Sequence, residues 1–219
     1  MNGYQVVGYA GAFIGIAFAL VQLRHTVRTR SVKGVSKLAW ALQCCDTALW
    51  LSYGLVTSSA QQVLGNSVWL VLAFVTAWFF VKSRELKPVT GAGVPLVSLA
   101  VALPLLYQNP GWCGPIGLCF AMSQAPAQLV RSVRADDLSG VSSTAWLFGC
   151  FSGLCWVVFG IGTHDVPVIT TAVPRVALSV AITAVVVVRK RSMRQAAQAG
   201  AASAAPRRTR SAGDKPSVL

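Results

Sequence analysis

Charge is what this chain has least of. Of its 219 residues, 11% are Asp, Glu, Lys or Arg, where a soluble domain carries about 25%. Set beside 54% hydrophobic residues, that deficit excludes an ordinary soluble domain and points to a chain dissolved in lipid. Acidic residues number 6 and histidines 2. They are too scattered for the acids, bases and nucleophiles that a membrane enzyme gathers at one depth. The six cysteines lack the short paired spacing of a zinc or redox site and read as small buried hydrophobes. No Gly-rich loop closed by Lys occurs, so no ATP site is visible. The last apolar run holds no interior lysine for a retinal Schiff base. No metal or cofactor is expected. No basic flank precedes the first apolar run, so no cleavable signal peptide is read there.

What is present is a series of apolar runs. A membrane span needs about 20 residues. Seven are predicted, at 4–23, 37–56, 62–81, 91–107, 113–131, 143–161 and 166–188. The fourth is short and contains Pro95 and Pro104, which neighbouring helices can accommodate. The net charge of +13 could serve a nucleic acid, but position argues otherwise. Every Lys and Arg except Arg175 follows the first, third, fifth or seventh run. Basic loops are retained on the cytoplasmic side, so the N-terminus is expected outside and the C-terminus inside, in the cell membrane. That alternation requires an odd number of spans. The segment from about 192 onward is Ala-, Ser- and Arg-rich and reads as a disordered, basic, cytoplasmic tail. Arg189, Lys190 and Arg191 would meet anionic lipid.

The chain also repeats itself. Shifted by 106 residues, segment 19–54 matches segment 125–160 without a gap, with thirteen identical positions. Among them are Gln22/Gln128, the triplets Gly34-Val35-Ser36 and Gly140-Val141-Ser142, Trp40/Trp146, Trp50/Trp156 and Gly54/Gly160. Shared apolar composition does not explain two tryptophans in register with a Gly-Val-Ser triplet. Two copies of a three-span unit keep the same orientation only if an odd linker span separates them. The expected fold is therefore an all-α membrane protein of seven helices arranged 3-1-3. Its parts are a first unit at 4–82, a linker helix at 88–108, a second unit at 112–189 and the tail at 190–219. Transporters are often built from such repeats, with the solute site between them near the midplane.

These residues carry a family resemblance. Gln22-Leu23, a basic stretch and then Ser31 ahead of Gly34-Val35-Ser36 resemble the PQ-loop repeat, and Trp50, Tyr53 and Gly54 fit too. The 3-1-3 layout resembles the SWEET sugar transporters, and each half resembles a bacterial SemiSWEET subunit. The resemblance implies movement of a sugar by alternating access, without a cofactor. It implies a pocket built from an aromatic residue on the second helix of each unit and Asn on the third. Here those are Trp50, Asn66 and Trp156, while the position matching Asn66 is Ala172, with Thr170 and Thr171 nearby. Tyr53 is implied as part of an outer gate, and Gln22, Pro126 and Gln128 as hinge positions. The pair's proline is Val21 in the first unit; in the second, Pro126 lies one residue early and Ala127 precedes Gln128.

Two charges stand apart from the loops. Asp46 lies about ten residues into the second span and Arg175 about nine into the seventh, which puts them at similar depth at about 1.5 Å per residue. A carboxylate at that depth is costly and marks function. The two are expected to pair across the cavity or to contact the solute, a structural ion pair being the plainer alternative. Trp50 and Trp156 can stack on a sugar ring or form an interfacial belt. Asn66 can hydrogen-bond a hydroxyl or a neighbouring helix. His164 and Asp165 read as a solvated outer turn. The expected partners are a small polar solute, with sugar favoured, the lipid bilayer and a homo-oligomeric copy, with no nucleic acid. Two alternatives stay open. One is proton-coupled transport of an amino acid or organic acid; the other is a seven-helix solute or peptide receptor of the PQ-loop fold.

Overall fold

The computed structural model describes residues 2–29, 37–84, 86–134, 138 and 143–204, the side chains at 22, 25–29, 39, 124, 125, 127, 128, 131, 143, 145 and 199–204 excepted. Among these residues the chain is all-helical, without a strand. The helices are α1 (Gly3–Thr29), α2 (Lys37–Val56), α3 (Ala60–Lys82), α4 (Pro88–Gln108), α5 (Cys113–Arg134), α6 (Ser143–Thr163) and α7 (Val166–Ala204), with a short 3-10 turn at Pro110–Trp112. Five stretches are long and apolar enough to cross a membrane: Gly3–Val21, Ala60–Lys82, Pro88–Gln108, Trp146–Thr163 and Val166–Gln198. Helices α2 and α5 carry more polar residues. For α2 the reason is visible in its packing against α3, α4 and α5: Cys44 and every residue from Asp46 to Gly54 are buried, so little of it needs to suit lipid.

Successive helices run in opposite directions, and one end of the bundle gathers the starts of α1, α3, α5 and α7. There Leu49, Trp50, Tyr53, Leu106, Cys113, Phe159 and Val168 form one buried cluster. At the other end Trp40, Cys44, Ala73, Ala77 and Phe80 form a second. The indole N–H of Trp40 donates to the Ala73 carbonyl at 3.1 Å, tying α2 to α3. On that side Arg189 of α7 donates through Nη1 to the carbonyls of Ser132 and Val133, at the end of α5. A cation suits the unmet carbonyls of a helix C-terminus. The six cysteines are free. Cys44, Cys113 and Cys150 are buried as expected, whereas Cys119 is exposed on the bundle surface.

Helix α3 packs on α1 and α2, and α7 packs on α5 and α6; α1 crosses to α6, and α2 to α5; α4 lies on α2 and α3. The turn after α2 and the turn after α6 are built alike. Ser58 and His164 both adopt the left-handed conformation, at φ 55°. Thr57 Oγ1 donates to the Tyr53 carbonyl at 2.7 Å, and Thr163 Oγ1 to that of Phe159 at 2.8 Å. The amides of Ser59 and Asp165 each donate at 2.8 Å, to the carbonyls of Gly54 and Gly160. Both glycines are required by close approach. A Cβ on Gly54 would lie 2.7 Å from Gln62 Cβ and 2.9 Å from Val63 N; on Gly160 it would lie 2.9 Å from Ile169 Cγ1.

Gly54→Ala is therefore expected to destabilise by about 1–3 kcal/mol, the cost of overpacking. Gly93→Ala, with nothing within 4 Å, is expected to stabilise slightly, because Ala is the better helix former. Thermal unfolding in one detergent separates the two.

Helix α7 continues well past the apolar run. Residues from about 192 to Ala204, expected to be disordered, are helical. The reason is local: this stretch is rich in Ala, with Gln195 and Gln198 among the Ala residues, all good helix formers, and it extends a helix already nucleated in the bundle. Residues 205–219 of the expected tail, and the triplets at 34–36 and 140–142, lie outside the described residues.

Candidate functional site

A cavity of about 380 Å³ lies between α1, α2, α3, α5, α6 and α7. Glycines on α1 and α5 make room for the tryptophans that wall it. A Cβ on Gly117 would sit 3.1 Å from Trp50 Cζ2, and one on Gly11 would sit 3.4 Å from Trp156 Nε1. Trp50 of α2 thus lies across α5, and Trp156 of α6 lies across α1. Each indole meets a second ring edge-on: Trp50 meets Tyr53 at 5.7 Å and 79°, and Trp156 meets Phe159 at 5.5 Å and 89°. Both geometries are the edge-to-face arrangement that ring quadrupoles favour.

Beyond these rings lies the buried cluster of Tyr53, Leu106, Cys113, Phe159 and Val168. Tyr53 is buried, and its hydroxyl donates to Asp165 Oδ1 at 2.8 Å, bridging α2 to the start of α7. The same carboxylate oxygen accepts from Val168 N at 3.2 Å. Asp165 is therefore not a freely solvated turn residue, as its neighbour His164 suggested. It caps α7, where a carboxylate meets the unpaired amides of the first turn. From the tryptophans the cavity extends the other way, toward Phe18, Gln43, Trp146 and Ser179.

The two interior charges meet. Arg175 Nη2 donates to Asp46 Oδ2 at 2.5 Å, and Trp50 Nε1 donates to Asp46 Oδ1 at 3.1 Å. Both carboxylate oxygens are engaged, which offsets the cost of burying the charge. The side chains differ in exposure: Asp46 is 3% exposed and Arg175 is 38% exposed. Among the described residues, Arg175 Nε is buried and has no hydrogen-bond partner.

Asn66 lines the cavity. Its Nδ2 donates to the Gln62 carbonyl at 2.8 Å and to Gln62 Oε1 at 3.2 Å, which leaves Oδ1 as the acceptor available to a solute. Ala172 and Thr171 also line the cavity. Thr171 spends its hydroxyl on the carbonyls of Pro167 and Val168, as a membrane-buried hydroxyl does when no other acceptor is near. Thr170 is exposed, with its hydroxyl beside Gly114 of α5. Trp50, Trp156, Asn66, Asp46 and Arg175 thus share one cavity.

The chain is similar to a sugar transporter. The relative is the sugar transporter SemiSWEET of Leptospira biflexa serovar Patoc, 28% identical over 81 residues, which are 37% of this chain and 93% of that protein. No protein-family model matches. The apolar helices and this relative together describe a multi-pass membrane protein.

Gln22 and Gln128 fall on α1 and α5, but their side chains lie outside the described residues. Pro126 lies inside α5, half-buried and away from the cavity lining. Sequence reasoning did not single out Trp69, Trp146 or Gln62 for the cavity wall, where the fold brings them. Trp69 had a signal: it is the position matching Arg175 under the 106-residue shift. Trp146 had another, as one of the identical repeat positions.

Proposed function

We propose that this chain is a membrane transporter of a small polar solute, a sugar of mono- or disaccharide size, working by alternating access. The observation that carries this reading is the tryptophan-walled cavity, sealed at one end by Tyr53 and Asp165 and extending toward the other. Its volume of about 380 Å³ falls among small-molecule pockets, about 300–1,000 Å³. Flat indole faces suit the apolar face of a pyranose, and Asn66 Oδ1 suits a hydroxyl.

The reading includes two three-helix units joined by α4, related by exchange of α1 with α5, α2 with α6 and α3 with α7. Under that exchange the contact α1·α3 becomes α5·α7, α2·α3 becomes α6·α7, and α1·α6 becomes α5·α2, each of which occurs. The paired Gly11/Trp156 and Gly117/Trp50 contacts obey the same exchange. With the basic helix ends facing the cytoplasm, the sealed end is the outer one and this conformation faces inward. Trp50, Asn66, Trp156, Asp46 and Arg175 are the proposed binding residues and Tyr53 the gate. Gln22, Pro126 and Gln128 are the hinge positions by resemblance.

Counterflow of labelled glucose and sucrose in proteoliposomes tests the reading. Exchange above protein-free vesicles is expected for at least one sugar; a panel of sugars, all at background, sinks it. The gate has its own test. Cys113 is fully buried in the sealed cluster. In a protein whose other cysteines are Ala, Tyr53→Phe removes the bridge to Asp165. Impermeant maleimide labelling of Cys113 is then expected to rise about tenfold, the worth of a hydrogen bond to a charged group. Unchanged labelling removes Tyr53 from the gate.

A further inference from the structure

Resting on the transport reading, we propose that the solute carries a carboxylate beside its hydroxyls, as a sugar acid of hexuronate size does, and that Arg175 holds that carboxylate.

Asp46 and Arg175 are both in the cavity wall, but they do not face the solute equally. Asp46 is covered, at 3% exposure, and its two oxygens are taken by Trp50 and Arg175. Arg175 is 38% exposed, with Nη2 engaged by Asp46 and Nε buried without a partner among the described residues. A guanidinium carries five N–H donors and no acceptor. What the cavity offers a solute at this point is therefore the donor capacity of a guanidinium already paired with Asp46.

The chemistry of the solute follows from which groups the wall can serve. An ammonium group would need Asp46, which is already saturated and covered; this disfavours cations and amino-acid zwitterions. A neutral sugar can give hydroxyl oxygens to Arg175, but each is a single neutral acceptor that does not match the two-pronged donor fork. A carboxylate matches the planar donor fork and supplies charge-assisted bonds. The remaining wall suits a hydroxylated ring, through Trp50, Trp69, Trp156 and the acceptor of Asn66. The end of the bundle toward which the cavity extends reinforces the preference. The helix ends on that side carry Arg24, Lys37, Lys82, Arg84, Arg134 and Arg189, and a positive rim raises the local concentration of anions.

The test is uptake of labelled glucuronate and glucose, at equal subsaturating concentration, into proteoliposomes of wild type, Arg175→Gln and Arg175→Lys. Tryptophan fluorescence of the purified wild type is titrated with the same two compounds. Wild type is expected to carry glucuronate at least about tenfold faster than glucose, and glucuronate to change the fluorescence at lower concentration. The glucuronate-to-glucose ratio is expected to fall about tenfold or more in Arg175→Gln, the worth of a charge-assisted bond, and to recover in part in Arg175→Lys. Glucose carried as fast as glucuronate, or a ratio unmoved by Arg175→Gln, overturns the inference and leaves the transporter standing. Tighter glucuronate binding without flux keeps the anion site and removes transport. Neither flux nor a fluorescence response removes both. Should Arg175→Gln not fold, the wild-type titration decides.

Discussion

Arg175→Leu is expected to destabilise the protein by about 3 kcal/mol or more, and the double variant Asp46→Leu/Arg175→Leu by clearly less. The reason is the asymmetry of burial. Removing Arg175 leaves the Asp46 carboxylate 3% exposed with one neutral donor, Trp50 Nε1. An uncompensated buried charge of this kind costs about 3–5 kcal/mol, whereas an apolar replacement of both partners is often neutral. The double variant still orphans the Trp50 N–H, a loss of about 1–3 kcal/mol. The exposure of Arg175 keeps the single variant at the lower end of its range. Thermal unfolding of wild type, both single variants and the double variant in one detergent measures the coupling. Equal midpoints for Arg175→Leu and the double variant would show that the pair does not hold Asp46.

The second large effect is expected at Trp50. Trp50→Ala empties a buried site against Gly117 and takes a donor from Asp46. Loss of so large a buried ring costs about 3–5 kcal/mol, and flux of the transported solute is expected to fall to background. Trp50→Phe keeps a ring on α5 and removes only the indole N–H, so it is expected to retain more stability and part of the flux. Trp156→Ala reports on the matching position across the cavity. Wild-type uptake by a folded Trp50→Ala protein would exclude this indole from the solute path.

Much of the bundle was legible in the chain because lipid imposes a simple rule. Each span must be helical and about 20 residues long, so each predicted span falls inside one observed helix. The meeting of Asp46 and Arg175 was legible for a related reason. Constant helical rise converts residue count into depth, and two opposite charges at one depth have strong cause to pair. Tyr53 and Asp165 gave no such clue. A His-Asp turn looks solvated, and only the placement of the turn before α7 beside Tyr53 makes Asp165 both a helix cap and an acceptor for Tyr53. The segment after 192 misled in the opposite direction. Its composition resembles a linker, but a helix already started needs only permissive residues to continue.

The amino-acid sequence by itself determined that this is a multi-pass helical membrane protein, and it carried the internal repeat. Hydrophobic run length and residue identity at a fixed offset are one-dimensional properties. Tertiary structure alone decided which side of each helix faces the cavity. It also decided that Asp46 is covered while Arg175 is presented, and that one end of the cavity is sealed. These depend on how neighbouring helices are rotated against one another, and that rotation is set by close contacts such as Gly117 under Trp50, between residues far apart in the chain.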